Sequence, residues 1–115
     1  MTKSYDLYGF TLDTIEIVAR KLEVVLEVQF ERRNSSFLSE YYVSGKSNGE
    51  NFQLLFNRND EDEDAEGEAY WHEPEFKSYP VILRVNKTNR SKELQEIILK
   101  SHLPGVILLR ANDVG

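Results

Sequence analysis

Apolar residues in this chain recur with two different periods, and the switch between them restricts the fold more than any other feature. Leu12, Ile15, Val18, Ala19, Leu22 and Val25 fall three or four positions apart, which gathers them on one face of an α-helix. Thr11 stands where an N-cap would, and Asp13 and Glu16 follow it. The unpaired N–H groups of a first turn favour a side-chain oxygen and negative charge. The spacing predicts a helix over Leu12–Leu22. A second helix, over Ser91–Ser101, turns Leu94, Ile97 and Ile98 inward and stops at Pro104-Gly105.

Elsewhere the period is two. Leu26, Val28 and Phe30 alternate with Glu27, Gln29 and Glu31, so Val24–Arg32 reads as a half-buried strand. Asn34-Ser35-Ser36 and the loop Gly45–Gly49 separate it from further strands at Phe37–Ser44 and Asn51–Asn57. Tyr5–Phe10, Tyr79–Val85 and Val106–Arg110 complete the set, with Gly9 weakening the first. The expected order is β-α-β-β-β-β-α-β, with strand, polar turn, helix and strand at both ends. This is an α+β chain: a mainly antiparallel sheet of about five to six strands with both helices on one face.

The 115 residues are enough for one domain with one core, spanning 1–115, and 40% hydrophobic content suits a globular chain. There is no cysteine, which removes disulfides, thiol nucleophiles and Cys-based metal sites. The first residues hold no apolar stretch of signal-peptide length, and no apolar run approaches the roughly 20 residues of a membrane span. The expectation is a cytoplasmic protein with no membrane partner.

The net charge of −6 is local. Asp60, Glu61, Asp62, Glu63, Asp64, Glu66, Glu68, Glu73 and Glu75 are nine acids with no Lys or Arg among them, leaving 11 acids against all 14 bases elsewhere. A field of one sign draws in basic partners and speeds their encounter. It repels nucleic acid, whose binding relies on Lys and Arg. Arg32, Arg33, Lys87, Arg90 and Lys92, even beside Tyr41 and Tyr42, read as solvated surface charges, so no nucleic-acid partner is expected.

The catalytic templates fail one by one. The two histidines, His72 and His102, have no Gly-x-Ser-x-Gly nucleophile to serve. His102 reads as a helix-end residue. His72 could act as a base if its carboxylate neighbours raised it, but a solvated or partner-contacting residue is the favoured reading. A calcium loop starting at Asp60 needs Gly sixth and Glu twelfth, where the chain has Ala65 and Trp71. No phosphate-binding glycine loop exists, and Gly45-Lys46-Ser47 lacks the first glycine of one. No catalytic residue, cofactor or metal is expected.

The acidic loop, residues 60–78, has no usable periodicity, and irregular segments of that length are functional or disordered. It holds the sole tryptophan. Aromatic anchors ringed by charge are the composition of a protein-binding patch. The expected partner-binding residues are Asp60, Glu61, Asp62, Glu63, Asp64, Glu66, Glu68, Tyr70, Trp71 and His72. The competing reading has Trp71 and Phe76 only tucking the loop onto the sheet.

Two segments carry a family likeness: Ser4-Tyr5-Asp6-Leu7-Tyr8-Gly9-Phe10, and Glu73-Pro74-Glu75-Phe76-Lys77-Ser78-Tyr79-Pro80-Val81-Ile82-Leu83 with Val85-Asn86. In them the chain resembles small bacterial immunity proteins of contact-dependent growth inhibition and related polymorphic toxin systems. The resemblance implies a cytosolic, non-enzymatic protein that neutralises one cognate toxin domain, frequently a nuclease. It carries over no individual functional residue; the acidic loop is singled out by its charge. A monomer is expected. The alternatives are a domain that self-associates through a sheet edge and a small carboxylate-rich metal-binding protein.

Overall fold

Six strands, β1 (Lys3–Phe10), β2 (Glu31–Ser35), β3 (Ser39–Gly45), β4 (Asn51–Phe56), β5 (Val81–Thr88) and β6 (Ile107–Val114), form one sheet in the order β2-β3-β4-β5-β1-β6. Every neighbouring pair is antiparallel. With helices α1 (Ile15–Leu26) and α2 (Ser91–Leu99) the chain order is the β-α-β-β-β-β-α-β expected. This computed structural model describes residues 3–12, 14–35, 39–46, 48–58, 71–103 and 105–114.

The topology explains why both helices share a face. β1 and β2 are parallel and joined through α1; β5 and β6 are parallel and joined through α2. β1 and β5 run in opposite directions, and their crossovers travel in opposite directions across the sheet. Two crossovers of the same hand therefore land on the same face, and one hand dominates such connections. Ile15, Val18, Ala19, Leu22 and Leu26 of α1 and Leu94 and Ile98 of α2 cover Tyr8, Phe10, Tyr42, Phe52, Leu54, Val81, Leu83 and Val85 of the sheet.

The boundaries of α1 differ from those expected. Thr14, not Thr11, is the extended residue before the first turn. The strand expected over Val24–Arg32 starts seven residues later: Val24 to Leu26 finish the helix, and β2 runs from Glu31 to Ser35. The stripe decides this, because Leu26 lies four residues beyond Leu22 and reaches the same core. Glu27 then takes a left-handed conformation (φ 54°), its N–H bonding to the Glu23 carbonyl, and the Val28 N–H reaches that carbonyl at 3.2 Å. Val28 and Phe30 pack against the core from the connecting loop. The Phe30 N–H donates to the Glu23 carboxylate at 2.9 Å.

β5 and β6 are longer than their apolar runs. Lys87 sits at φ 55°, inside β5, and β6 continues through polar residues to Val114 because it pairs with β1 from Gly9 back to Lys3. The opposite sheet face holds a smaller cluster, Leu7, Leu55 and Ile82, with Tyr41, Phe76, Tyr79 and Leu109 against it. Among the described residues no helix is long and apolar enough to cross a membrane.

Candidate functional site

Asp60, Glu61, Asp62, Glu63, Asp64, Glu66, Glu68 and Tyr70 lie outside the described residues. The two ends of that stretch are described, and they meet. Arg58, just after β4, forms an isolated antiparallel bridge with Trp71. The Arg58 guanidinium carbon also lies 5.7 Å from the centre of the Phe56 ring, within cation–π range. The residues that flank the acidic stretch, Arg58 and Trp71, are thus neighbours beside the end of β4.

Residues 71–80 then run back across the sheet face that carries no helix. One fully buried side chain, Asn57, holds this return limb. Its Oδ1 accepts the Glu73 N–H at 2.8 Å. Its Nδ2 donates to the carbonyls of Phe76 at 2.9 Å and Glu73 at 3.3 Å. Its backbone accepts the His72 N–H at 2.8 Å and donates to the Pro80 carbonyl at 2.9 Å. A limb without regular structure has main-chain groups to satisfy, and a buried amide with both donors and an acceptor satisfies several at once. A single 3₁₀ turn, Pro74–Phe76, places Phe76 on the sheet. Tyr79 lies over Gly9, where an added Cβ would stand 2.7 Å from its ring. The glycine that weakens β1 as a strand is the space the limb needs.

Glu73 is the second fastening. Its side chain is only 13% exposed, and each carboxylate oxygen takes one arginine: Arg84 Nη2 at 3.0 Å from Oε2 and Arg110 Nη2 at 2.8 Å from Oε1. The two arginines belong to β5 and β6 and flank Leu7 of β1 in register. Arg84 also donates to Gln53 Oε1 at 3.5 Å. Glu73, one of the nine acids counted in the local charge, is held inside the fold.

Of the expected contact residues, Trp71 and His72 are placed, both half-buried at the base of the acidic stretch. A raised His72 is not what the structure gives. Burial lowers its pKa from the ordinary 6.5, the nearby Arg84 charge lowers it further, and Glu73 only partly opposes them. His72 is neutral at neutral pH. His102 is exposed, at φ 60° beyond α2, in keeping with a helix-end residue. Among the described residues no three His, Asp or Glu side chains gather as a metal would require.

Two polar clusters tie α2 to the sheet. Arg90 grips Glu50 through Nε and Nη2, at 2.9 and 2.7 Å, while the Thr88 hydroxyl donates to the same carboxylate at 2.7 Å. The hydrogen bond from Arg90, ahead of that from Thr88, holds the Glu50 pKa below the usual range despite burial. On β1, buried Asp6 accepts the Ser91 hydroxyl at 2.5 Å. Its Oδ1 and the Tyr8 hydroxyl have no hydrogen-bond partner among the described residues. Burial, and secondarily Asp6, push the Tyr8 phenol upward, so it stays protonated. The sequence reading missed Asn57, the Glu73 clamp and Asp6.

Compared with known proteins, the chain matches no family model and no curated protein.

Proposed function

We propose that this chain is a cytoplasmic, non-enzymatic immunity protein that binds a basic bacterial toxin domain, a nuclease by preference, through its acidic stretch. One observation carries the reading. The chain concentrates Asp60, Glu61, Asp62, Glu63, Asp64, Glu66 and Glu68 in one stretch, and the Arg58–Trp71 bridge draws both ends of that stretch to a single point on the fold. A charged segment rooted at both ends loses less freedom on binding than a tail would, which favours affinity. Trp71 and neutral His72 stand at its base as uncharged contacts, and Tyr70 adjoins them in sequence. A nuclease cleft is basic because it holds phosphates. A dense carboxylate array matches it in sign and steers the encounter.

The test is capture from the native host on tagged protein, at low and then moderate salt, with a variant carrying Asp62→Asn, Glu63→Gln and Asp64→Asn alongside. One stoichiometric basic protein that elutes as salt rises and is not retained by the variant supports the reading. Equal capture by both proteins contradicts it.

A second reading, self-association, has one observation in its favour. The two sheet edges differ: β2 exposes Glu31, Arg32 and Arg33, whereas β6 is eight residues long and begins Ile107-Leu108-Leu109, with Ile107 43% exposed. Charges blunt an edge, and a long apolar edge invites pairing. Sedimentation at micromolar concentration separates the two: a clean monomer removes the second reading.

A further inference from the structure

Among the described residues, the return limb lies on Leu55, Ile82 and Gly9 of the helix-free face, and beyond Glu73 the sheet presents polar side chains. A cleft of about 210 Å³ opens there, bordered by Tyr5, Leu7, Arg84, Asn86, Arg110 and Asn112. Asp6 borders it too, but its carboxylate is buried and bonded to Ser91 of α2.

What converges on the cleft is donors. Arg110 gives one N–H to Glu73, and Arg84 gives one to Glu73 and one to Gln53. A guanidinium has five. The Tyr5 hydroxyl and the Asn112 amide make no side-chain hydrogen bond among the described residues, and Tyr5 is 36% exposed. On the cleft's open side the two guanidinium groups face a single clamped carboxylate, Glu73, while the Asp6 carboxylate is turned to Ser91. A hollow of about 450 Å³ between the start of α2 and the β1–β6 edge shows no such bias, because Glu93 and Asp113 line it together with Arg90 and Lys92.

We infer that this cleft is an oxyanion-binding site and that its ligand group is a carboxylate. The register supplies the reason. Arg84 and Arg110 stand on either side of Leu7, each one strand away, and Glu73 shows that a carboxylate spans them with one oxygen to each. Such charge-assisted pairs are the strong hydrogen bonds of protein surfaces. A second carboxylate entering from the Tyr5 and Asn112 side takes up the remaining N–H groups and the two neutral donors. Glu73 is the tethered occupant of the same pair of arginines. The site is independent of the acidic stretch and of the partner proposed for it.

The probes are citrate and inorganic phosphate, each titrated into isotopically labelled full chain at an ionic strength matched with chloride. The amide resonances of Leu7, Arg84 and Arg110 are followed. Citrate is expected to shift them saturably. Arg110→Gln weakens that binding roughly tenfold, the range for a hydrogen bond to a charged group. Glu73→Gln tightens it, because the ligand then meets two unpaired guanidinium groups. Tyr5→Phe with Asn112→Ala leaves the Glu73 clamp and the thermal midpoint in place and weakens binding by about threefold or more. The inference is overturned if citrate shifts nothing beyond chloride, or if the Tyr5/Asn112 double variant binds as the parent does. Phosphate binding without citrate binding overturns the carboxylate assignment.

Discussion

The two faces of the sheet are held by different physics. Under the helices, Tyr8, Phe10, Leu54, Leu83 and Val85 meet two apolar stripes, and the polar links to the sheet, Arg90 to Glu50 and Ser91 to Asp6, are confined to the start of α2. On the other face a limb without regular structure is fixed by one buried amide and one shared carboxylate. Apolar burial is non-directional and involves no charge for salt to screen, whereas hydrogen-bonded and ionic fastenings respond to pH, to screening by salt and to single-atom changes. The face that carries residues 71–80 is therefore the one whose attachment is expected to respond to such changes before the chain unfolds.

The largest effect tests the helix side. Leu83→Ala, at a fully buried position, is expected to cost about 2–5 kcal/mol. Denaturant unfolding should show Trp71 emission and helical circular dichroism failing together, because the core carries both faces. Asn57→Ala comes next. It strands several main-chain groups of the limb, each worth about 1–3 kcal/mol when left buried and unpaired. Trp71 emission should now change well before the helical signal does. Coincident transitions in that variant would mean the limb is not a separate unit.

Much of this contrast was readable from the chain, and the misses have physical causes. The helical stripes and the alternation gave the element order, because both periods follow from backbone geometry. The end of α1 was misread because Val24 and Val25 are β-branched and a short alternation overlaps the last helical turn. Leu26 extending the stripe was the better signal. Asn57 and Glu73 were not legible: their roles rest on pairings 11 to 37 residues apart, and no local pattern marks them. A weaker sign was present. Leu54-Leu55 and Val81-Ile82-Leu83 are apolar at consecutive positions, which signals a sheet covered on both sides.

Smaller perturbations sharpen the comparison. Glu73→Gln removes half-buried ion pairs and is expected to cost about 1–2 kcal/mol at low salt, and less as salt rises. Leu83→Ala should show no such salt dependence. The pH response divides the molecule in the same way. His72 ionises below its ordinary 6.5 in the folded chain, so the unfolded chain takes up that proton first. Its contribution is complete above about pH 6.5 and stability falls as pH drops through that value towards the lowered folded one. Glu50, also lowered, stabilises above the ordinary carboxylate range and loses its effect only as pH falls through its own lower folded value. Thermal midpoints between pH 7 and 5 should therefore decline in the parent and decline less in His72→Gln, with the Glu50–Arg90 link still intact.

The most direct measurement of the central claim is the association rate of the captured basic partner with the parent and with the variant carrying Asp62→Asn, Glu63→Gln and Asp64→Asn, across a salt series. The variant is expected to associate more slowly and with a shallower salt slope, at an unchanged thermal midpoint. An unchanged rate and slope would place the partner on another surface and leave the acidic stretch as a solvated connection between β4 and the limb.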